Sequence, residues 1–272
     1  MTGTSFDWGP LLEGGPLFLG ILNLTPDSFS DGGRFVDPAA ALAQARQLVA
    51  SGVRMLDLGA ESTRPGSAVV DAATEWGRLE PVLSALAEAL PHIPLSLDTR
   101  HAAVAAKGLA AGASVINDVD GFTEPAMLEL AAASRCGLIA MRSRRQGGGF
   151  LMPPYADPAP KDAASAFAEL LTVRDRLRAG GIADDRVLLD PGFGFGTTFA
   201  EDLALWNALP RLPGVLAWPA DRICIGISRK RFLAFRAGTP GLAPDQRDPL
   251  TAAAHVEAME WGYRVFRTHA IG

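Results

Sequence analysis

Polar side chains that could bind a substrate follow short apolar segments along this 272-residue chain. The first apolar run covers residues 17–22 and turns abruptly into Asn23-Leu-Thr-Pro-Asp-Ser-Phe-Ser-Asp-Gly-Gly33. Proline and paired glycines do not continue a strand, so this stretch predicts a loop that follows a buried strand. An ordinary strand-to-helix connection, with Asp27 or Ser28 in a turn, would give the same local pattern. The rest of the chain has to distinguish the two.

Carboxylate and amide side chains follow three later apolar segments. Asp98, Asn117 and Asp190 each come directly after such a segment. Acids and amides together offer both acceptors and donors, which suits the edge of a flat, nitrogen-rich heterocycle. The three residues therefore indicate a binding site for such a ring.

Basic side chains indicate a second ligand group, an anion. Arg64 lies in the polar stretch Glu61-Ser-Thr-Arg-Pro-Gly66, and Arg267 and His269 follow the last apolar segment. Arginine binds phosphate in a forked geometry, and the amide oxygen of Asn23 suits Mg²⁺ shared with a phosphate. We therefore expect a phosphate or pyrophosphate beside the heterocycle.

Each of these residues also has a purely structural interpretation. The pairs Asp98-Thr99 and Asn117-Asp118 are typical helix caps when taken singly, and Arg144 with Arg145 is typical of a solvated surface pair. The glycines of residues 192–196 do not match Gly-x-Gly-x-x-Gly, which argues against a dinucleotide there. The recurrence of polar groups after every apolar segment favours one common site.

The elements that must position these groups alternate regularly. Predicted strands cover residues 17–22, 53–58, 94–97, 114–116, 137–141, 186–189, 223–227 and 263–266. Predicted helices cover residues 37–52, 71–90, 102–111, 124–134, 159–179, 198–212 and 251–261, with a further helix starting after Lys230. This alternation requires a parallel sheet, and eight repeats in a chain of this length fit a (β/α)₈ TIM barrel. The alternative is a doubly wound open sheet.

We predict an α/β fold in which a barrel domain, residues 17–272, follows an N-terminal extension, residues 1–16. In a barrel all eight strand ends meet at one mouth, where catalysis occurs in this fold.

Composition limits the partners and the compartment. The net charge of −5 argues against a general nucleic-acid or anionic membrane surface. The two cysteines, Cys136 and Cys224, lie in apolar runs and predict reduced core thiols. The sequence shows neither a signal peptide nor an apolar run of membrane-spanning length, so we expect a cytoplasmic protein whose ligands are small molecules.

Seven motifs together resemble those of dihydropteroate synthase, a pterin-binding enzyme family. They are the stretches 23–33 and 61–66 with Ser96-Leu-Asp-Thr99, Ile116-Asn-Asp-Val119, Asp190-Pro-Gly-Phe-Gly-Phe195, Ser228-Arg-Lys230 and Arg267-Thr-His269. The resemblance runs from about Leu17 to the C-terminus. It implies a TIM-barrel transferase of folate synthesis that joins 6-hydroxymethyl-7,8-dihydropterin pyrophosphate to p-aminobenzoate and releases pyrophosphate.

The resemblance also implies roles for individual residues. The implied catalytic residues are Asp27, Arg64, Asp98, Asp190 and Lys230. The implied substrate-binding residues are Phe29, Thr63, Arg64, Pro65, Asp98, Asn117, Met141, Asp190, Ser228, Lys230, Arg267, Thr268 and His269. Among these, the pterin would be held by Asp98, Asn117, Asp190 and Lys230, and the pyrophosphate by Arg64, Arg267 and His269. Asn23 would ligate Mg²⁺, the implied cofactor, and the family pattern implies a homodimer.

The chain departs from the family pattern in three places. Met141-Arg142 stands where Met-His is common, and an unusual segment, residues 144–149, follows it. Thr197 and Asp202 stand where lysine and asparagine are frequent. Ala270-Ile-Gly272 follows the last motif where an aspartate and a final helix are usual, so we expect the barrel to lack its eighth outer helix.

Two alternative functions stay open. The departures would fit a pterin-binding paralogue with impaired or altered turnover. A pterin-binding methyltransferase domain that works with a corrinoid partner shares the barrel and the pterin-binding acids, but that class has no use for the loops of residues 23–33 and 63–65.

Overall fold

The computed structural model describes residues 5–25, 37–61, 70–146, 149–150 and 162–271. The strands within them are β1 (Leu17–Asn23), β2 (Met55–Gly59), β3 (Leu95–Asp98), β4 (Val115–Asp118), β5 (Gly137–Met141), β6 (Arg145–Gln146), β7 (Gly149–Phe150), β8 (Val187–Asp190), β9 (Cys224–Ile225) and β10 (Val265–Thr268). Eight of them form one sheet in the order β8-β5-β4-β3-β2-β1-β10-β9.

Every neighbouring pair in this sheet is parallel. A single bridge between Leu189 of β8 and Ile223, next to β9, joins the two outer strands and closes the ring. We call this junction the seam. The predicted TIM barrel is confirmed, and the open sheet is wrong.

Helices alternate with the strands around the ring. They are α1 (Gly9–Glu13), α2 (Pro38–Ala50), α3 (Ala72–Ala89), α4 (Ala102–Ala110), α5 (Pro125–Ala133), α6 (Ala164–Ala179), α7 (Phe199–Ala208), α8 (Leu212–Leu216), α9 (Arg231–Arg236) and α10 (Asp248–Glu260). Local sequence explains several of their first turns. Asp37 and Asp71 accept hydrogen bonds from first-turn amides of α2 and α3, and Thr198 with Glu201 forms a capping box at α7.

Two regions differ from the sequence prediction. The helix predicted over residues 198–212 is divided into α7, a 3₁₀ turn at Leu209–Arg211 and α8. Pro210 and Pro213 account for the division, because proline lacks an amide hydrogen and its ring disrupts the preceding helical turn. The antiparallel hairpin of β6 and β7 after β5 was not predicted.

After β10, residues 269–271 form no helix.

The segment before β1 packs into the N-terminal end of the barrel. The Trp8 side chain is fully buried in a cluster that includes Leu17, Met55 and Val265. Its indole nitrogen donates to the carbonyl oxygen of Arg186 at 3.0 Å. Residues 5–16 therefore cover the bottom of the barrel, opposite the ends of the strands that carry the polar groups.

Two further expectations concern cysteines and membrane spans. Cys136 and Cys224 are free and buried, as predicted. Over the described ranges of the chain, the helices are either too short or too polar to cross a bilayer.

Candidate active site

A period of two along the strands places polar side chains directly above an apolar layer. Met55, Val115, Leu188, Cys224 and Val265 belong to one buried cluster inside the barrel. Successive side chains on a strand point to opposite faces, so the residue two positions on returns to the interior. Those residues are Asp57, Asn117, Asp190, Gly226 and Arg267. Four of the five are polar, and they form the floor of the mouth.

Arg267 occupies the centre of this floor. Its Nε donates to Asp57 Oδ2 at 2.5 Å, and its Nη2 donates to Asp98 Oδ2 at 2.6 Å. Asn117 Nδ2 donates to the same Asp57 oxygen at 3.1 Å. Four residues from four strands are therefore connected at one point, and the strand ends that are far apart in sequence do converge.

These contacts exclude the helix-cap interpretation of two predicted site residues. The side chains of Asp98 and Asn117 point across the barrel to Arg267 and Asp57 instead of toward a helix start. Asp118 is different, since its carboxylate accepts from the amides of Asp120 and Phe122 and so shapes a turn.

Asp190 and Lys230 form a second part of the mouth, beside the seam. Asp190 Oδ1 accepts from the Gly192 amide at 2.7 Å. Gly226 leaves room for the other oxygen, because a Cβ at that position would lie 3.1 Å from Asp190 Oδ2. The Lys230 ammonium lies 4.2 Å from the centre of the Phe195 ring, a cation–π contact.

The third part of the mouth joins the ends of β9 and β10. Ser228 Oγ lies 2.9 Å from His269 Nδ1 and accepts from the His269 amide at 3.1 Å. Thr268 Oγ1 donates to the carbonyl oxygen of Ala270 at 2.6 Å and lies 3.4 Å from Ser228 Oγ. Ser228, Thr268 and His269 therefore form one connected group beside Arg267.

Burial changes the proton affinity of the groups at the mouth. It raises the pKa of Asp190 to about 6, against the lowering effects of the Gly192 amide and Lys230. It also lowers the pKa of Lys230 to about 8, and the charge of Arg267 contributes in the same direction. For Asp98, burial raises the carboxyl pKa to about 7, and the adjacent Arg267 guanidinium offsets part of this increase. Burial, followed by nearby cations, lowers the pKa of His269 to about 3, so its ring is neutral near pH 7.

Two further predicted residues lie at the ends of their strands. Asn23 is the last residue of β1 and pairs with Gly59 of β2. Met141 ends β5 in register with Asp190 and is buried. The remaining predicted residues, Asp27, Phe29, Thr63, Arg64 and Pro65, lie outside the described residues.

The base of the second polar loop is held by an ion pair. Arg100 Nε and Nη2 donate to the two carboxylate oxygens of Glu61 at 2.8 and 3.0 Å. Glu61 also accepts from the Val70 amide at 3.2 Å. Residues 61 and 70, which flank the undescribed part of this loop, are therefore tied to each other and to the end of β3.

Asp57 was not predicted as a site residue, and the prediction for two arginines was wrong. Asp57 lies within an apolar strand and is fully buried, and a buried carboxylate requires a partner, which here is Arg267. Arg144 and Arg145 are not a solvated pair. Arg144 binds Glu169 and Glu201 at 2.7 Å each, and Arg145 binds Asp120.

Comparisons with known proteins agree with this geometry. Residues 19–269 match the family described as "Pterin binding enzyme". The chain is 38% identical to the dihydropteroate synthase of Mycobacterium leprae (strain TN), over 93% of this chain and 88% of that protein.

Solved structures give the same result. The dihydropteroate synthase of Xanthomonas albilineans with 4-aminobenzoic acid is 36% identical, with a TM-score of 0.80 over 94% of this chain and 88% of that one. The same enzyme in complex with 7,8-dihydropteroate is 34% identical, with a TM-score of 0.78 and the same coverage. This chain therefore belongs to the pterin-binding enzyme family, and its relatives there include dihydropteroate synthases.

Proposed function

We infer that the protein is a dihydropteroate synthase, which condenses 6-hydroxymethyl-7,8-dihydropterin pyrophosphate with p-aminobenzoate to give 7,8-dihydropteroate and pyrophosphate. The observation that carries this inference is the convergence of Asp98, Asn117, Asp190, Lys230 and Arg267 on one barrel mouth, in a chain related to such enzymes over nearly its whole length. It is a transferase of folate synthesis.

The pterin ring is proposed to lie between the two acidic parts of the floor. Its amino and ring N–H groups are donors, which suit the carboxylates of Asp98 and Asp190, and Asn117 offers an amide that donates and accepts. Lys230, charged below its lowered pKa of about 8, donates to the ring carbonyl oxygen. Met141 is assigned to the buried wall beside Asp190.

The anionic end of the substrate is proposed to lie beside Arg267 and His269. Arg64, on the second polar loop, completes this group. Ser228 Oγ contacts both the side chain and the backbone amide of His269, and Thr268 contacts Ser228 in turn. Arginine neutralises the negative charge that develops on the departing pyrophosphate, which is stabilisation at the point where charge appears.

In the reaction, the bond between the pterin methylene carbon and the pyrophosphate oxygen breaks, and the arylamine nitrogen bonds to the same carbon. The nitrogen then loses a proton to water or a mouth carboxylate. The methylene becomes electron-poor as the leaving group departs, and the carboxylates of Asp98 and Asp190 stabilise that positive character through the ring. No covalent bond to the protein is required.

The residues Asp27 and Phe29 from the first polar loop, with Thr63 and Pro65 from the second, are proposed to complete the p-aminobenzoate site. Exclusion of water from the electron-poor methylene would protect it from hydrolysis. Asp27 and Arg64 are the catalytic residues proposed on these loops.

A magnesium ion is proposed at Asn23. Among the described residues, no group of three or more His, Cys, Asp and Glu side chains is placed to hold a metal ion. A single amide oxygen at the end of β1 still fits Mg²⁺, because this ion keeps several waters and takes its other ligands from substrate phosphates. When bound, the ion would neutralise charge on the leaving pyrophosphate.

A cytoplasmic location and a homodimer stay predictions.

The direct test is turnover by the purified protein. With the pterin pyrophosphate, Mg²⁺ and p-aminobenzoate, it should release pyrophosphate and form dihydropteroate. Asp98→Asn should weaken binding of the pterin, whereas Arg64→Ala should mainly slow turnover. Asp184→Asn, at an exposed ion pair with Arg178, is the matched control and should change neither.

Two results would count against this proposal. Pterin binding without pyrophosphate release would favour the paralogue with impaired turnover. Equal loss of pterin affinity in Asp98→Asn and Arg64→Ala would contradict the division of roles.

A further inference from the structure

Arg142 is a buried arginine that follows β5 and contacts the backbone of residues 190–192. Its side chain is 1% exposed, so it does not reach a ligand at the mouth directly. Its Nε donates to the carbonyl oxygen of Pro191 at 2.7 Å and its Nη2 to that of Gly192 at 3.3 Å. Its backbone amide donates to the carbonyl oxygen of Asp190 at 3.2 Å. One residue thus holds three consecutive carbonyl groups.

The backbones of the two loops are also in direct contact. Gly192 has φ +68°, and a Cβ there would lie 2.1 Å from the carbonyl oxygen of Arg142. At Gly196, φ is +77°, and a Cβ would lie 2.5 Å from the Cβ of Arg144. Both glycines therefore meet a close approach as well as a left-handed conformation that other residues rarely adopt. The backbone conformation of residues 190–196 is therefore constrained by contact with Arg142 and Arg144, which follow β5.

The third guanidinium nitrogen connects this contact to the outer helices. Arg142 Nη1 donates to Glu169 Oε2 at 3.0 Å, and Arg144 donates to Glu169 Oε1 at 2.7 Å. Arg144 also binds Glu201, the capping-box residue of α7. The cost of burying the Arg142 charge is thereby offset by a carboxylate, and α6 and α7 are tied to the same point.

We propose that Arg142 is a positioning residue for the pterin site, which holds the backbone from Asp190 to Gly192 so that the Asp190 carboxylate faces the ring. The connection is direct. The Gly192 amide donates to Asp190 Oδ1, and the carbonyl oxygen of the same Gly192 accepts from Arg142. A shift of Gly192 moves that carboxylate. This inference rests on the proposed function.

The test is Arg142→Lys, which keeps the charge but cannot bind two carbonyls and a carboxylate in one plane. We expect the KM for the pterin pyrophosphate to rise about tenfold with a smaller change in kcat, since misplaced binding groups lose much of their effect over distances of about 1 Å. The KM for p-aminobenzoate should stay within about twofold, because Arg142 acts on the pterin side alone. Arg142→Met should lower kcat/KM for the pterin further, by about a hundredfold.

Arg186→Lys is the matched control. Arg186 is also a buried arginine, and it donates to the carbonyl oxygens of Cys136 and Ala131 at 2.9 Å each, at the bottom of the barrel. If both arginines only stabilise the fold, both lysine variants lower the melting temperature and leave KM unchanged. That common result, with wild-type protein active, would overturn the positioning role and leave the proposed function intact. Inactive wild-type protein would instead refute the proposed function.

A second variant keeps the test decisive if neither Arg142 variant folds. Glu169→Gln retains Arg142 and removes the charge that orients it. We expect the pterin KM to rise about threefold, with the dissociation constant from calorimetry following it. An unchanged pterin KM and dissociation constant in folded Glu169→Gln would overturn the proposal.

Discussion

Replacement of Arg267 by methionine should destabilise the protein in a pH-dependent way. The guanidinium contacts Asp57, which is fully buried, and Asp98, whose side chain is 15% exposed. Methionine has a similar length and no charge, so the variant leaves two carboxylates without their cation. Removing one partner of a buried ion pair costs about 3–5 kcal/mol of unfolding free energy. Because Asp98 is not fully buried, we expect a loss of about 3 kcal/mol at pH 7.5.

The pH dependence follows from Asp98. Arg267 lowers the pKa of this carboxyl, so the pKa in the folded variant rises further above the value of an unfolded aspartate, about 3.9. A group that binds its proton more tightly in the folded state loses its stabilising contribution as pH rises from that unfolded value through the folded pKa. Burial already raises the pKa of Asp98 to about 7 in wild type, so the two proteins differ in protonation only above that value. The destabilisation relative to wild type should therefore be smaller at pH 5 than at pH 7.5, by about 0.8 kcal/mol at most.

Urea unfolding at both pH values, followed by circular dichroism, measures this difference. With a slope of about 3 kcal/mol per molar urea, a loss of 3 kcal/mol moves the midpoint by about 1 M. Arg178→Met is the control, because Arg178 pairs with Asp184 at the surface and should leave the midpoint nearly unchanged. A midpoint shift that is equal at the two pH values, or no larger than that of Arg178→Met, would refute the reasoning.

Three further changes test other parts of the structure. Gly192→Ala introduces a Cβ 2.1 Å from a backbone carbonyl oxygen at φ +68°, so it should lower the melting temperature and raise the pterin KM. Gly214→Ala is the control, because its Cβ would lie in open space, and it should change neither quantity. Pterin affinity, measured by calorimetry, should fall below about pH 7, where first Asp98 and then Asp190 is protonated, and above about pH 8, where Lys230 loses its charge. A flat profile from pH 5 to 9 would contradict this assignment. Trp8→Ala should lower the free energy of unfolding, measured in urea, by about 3–5 kcal/mol with little change in KM. A change mainly in kcat or KM would instead show that the bottom of the barrel affects the site.

The fold followed from local patterns that a single sequence displays. Short apolar segments alternating with helical periodicity required a parallel sheet, and their number gave the barrel. The period of two also explains why Asn117 and Asp190 face the interior, since each comes two residues after a buried apolar residue of the same strand. The helix caps at Asp37 and Asp71 are local in the same sense, because their partners lie within three residues.

The remaining site features depend on contacts between distant segments. Asp57 was not predicted as a site residue because its partner, Arg267, lies 210 residues away in the sequence. Arg144 resembled a surface residue because Glu169 and Glu201 reach it from two later helices. The register that brings such groups together is set by the stagger of the closed barrel, which the sequence of one strand does not contain.

The seam has a consequence for how the barrel opens. Between β8 and β9 a single bridge, Leu189 to Ile223, replaces the longer ladders found between other neighbours such as β1 and β2. Local opening of the ring, and with it amide hydrogen exchange, should begin there. Asp190 and Lys230 stand on opposite sides of this junction, so a ligand that contacts both spans it. Bound pterin would then slow exchange at amides of β8 and β9 more than at β3 and β4, and the occupied barrel would be a more evenly closed ring than the empty one.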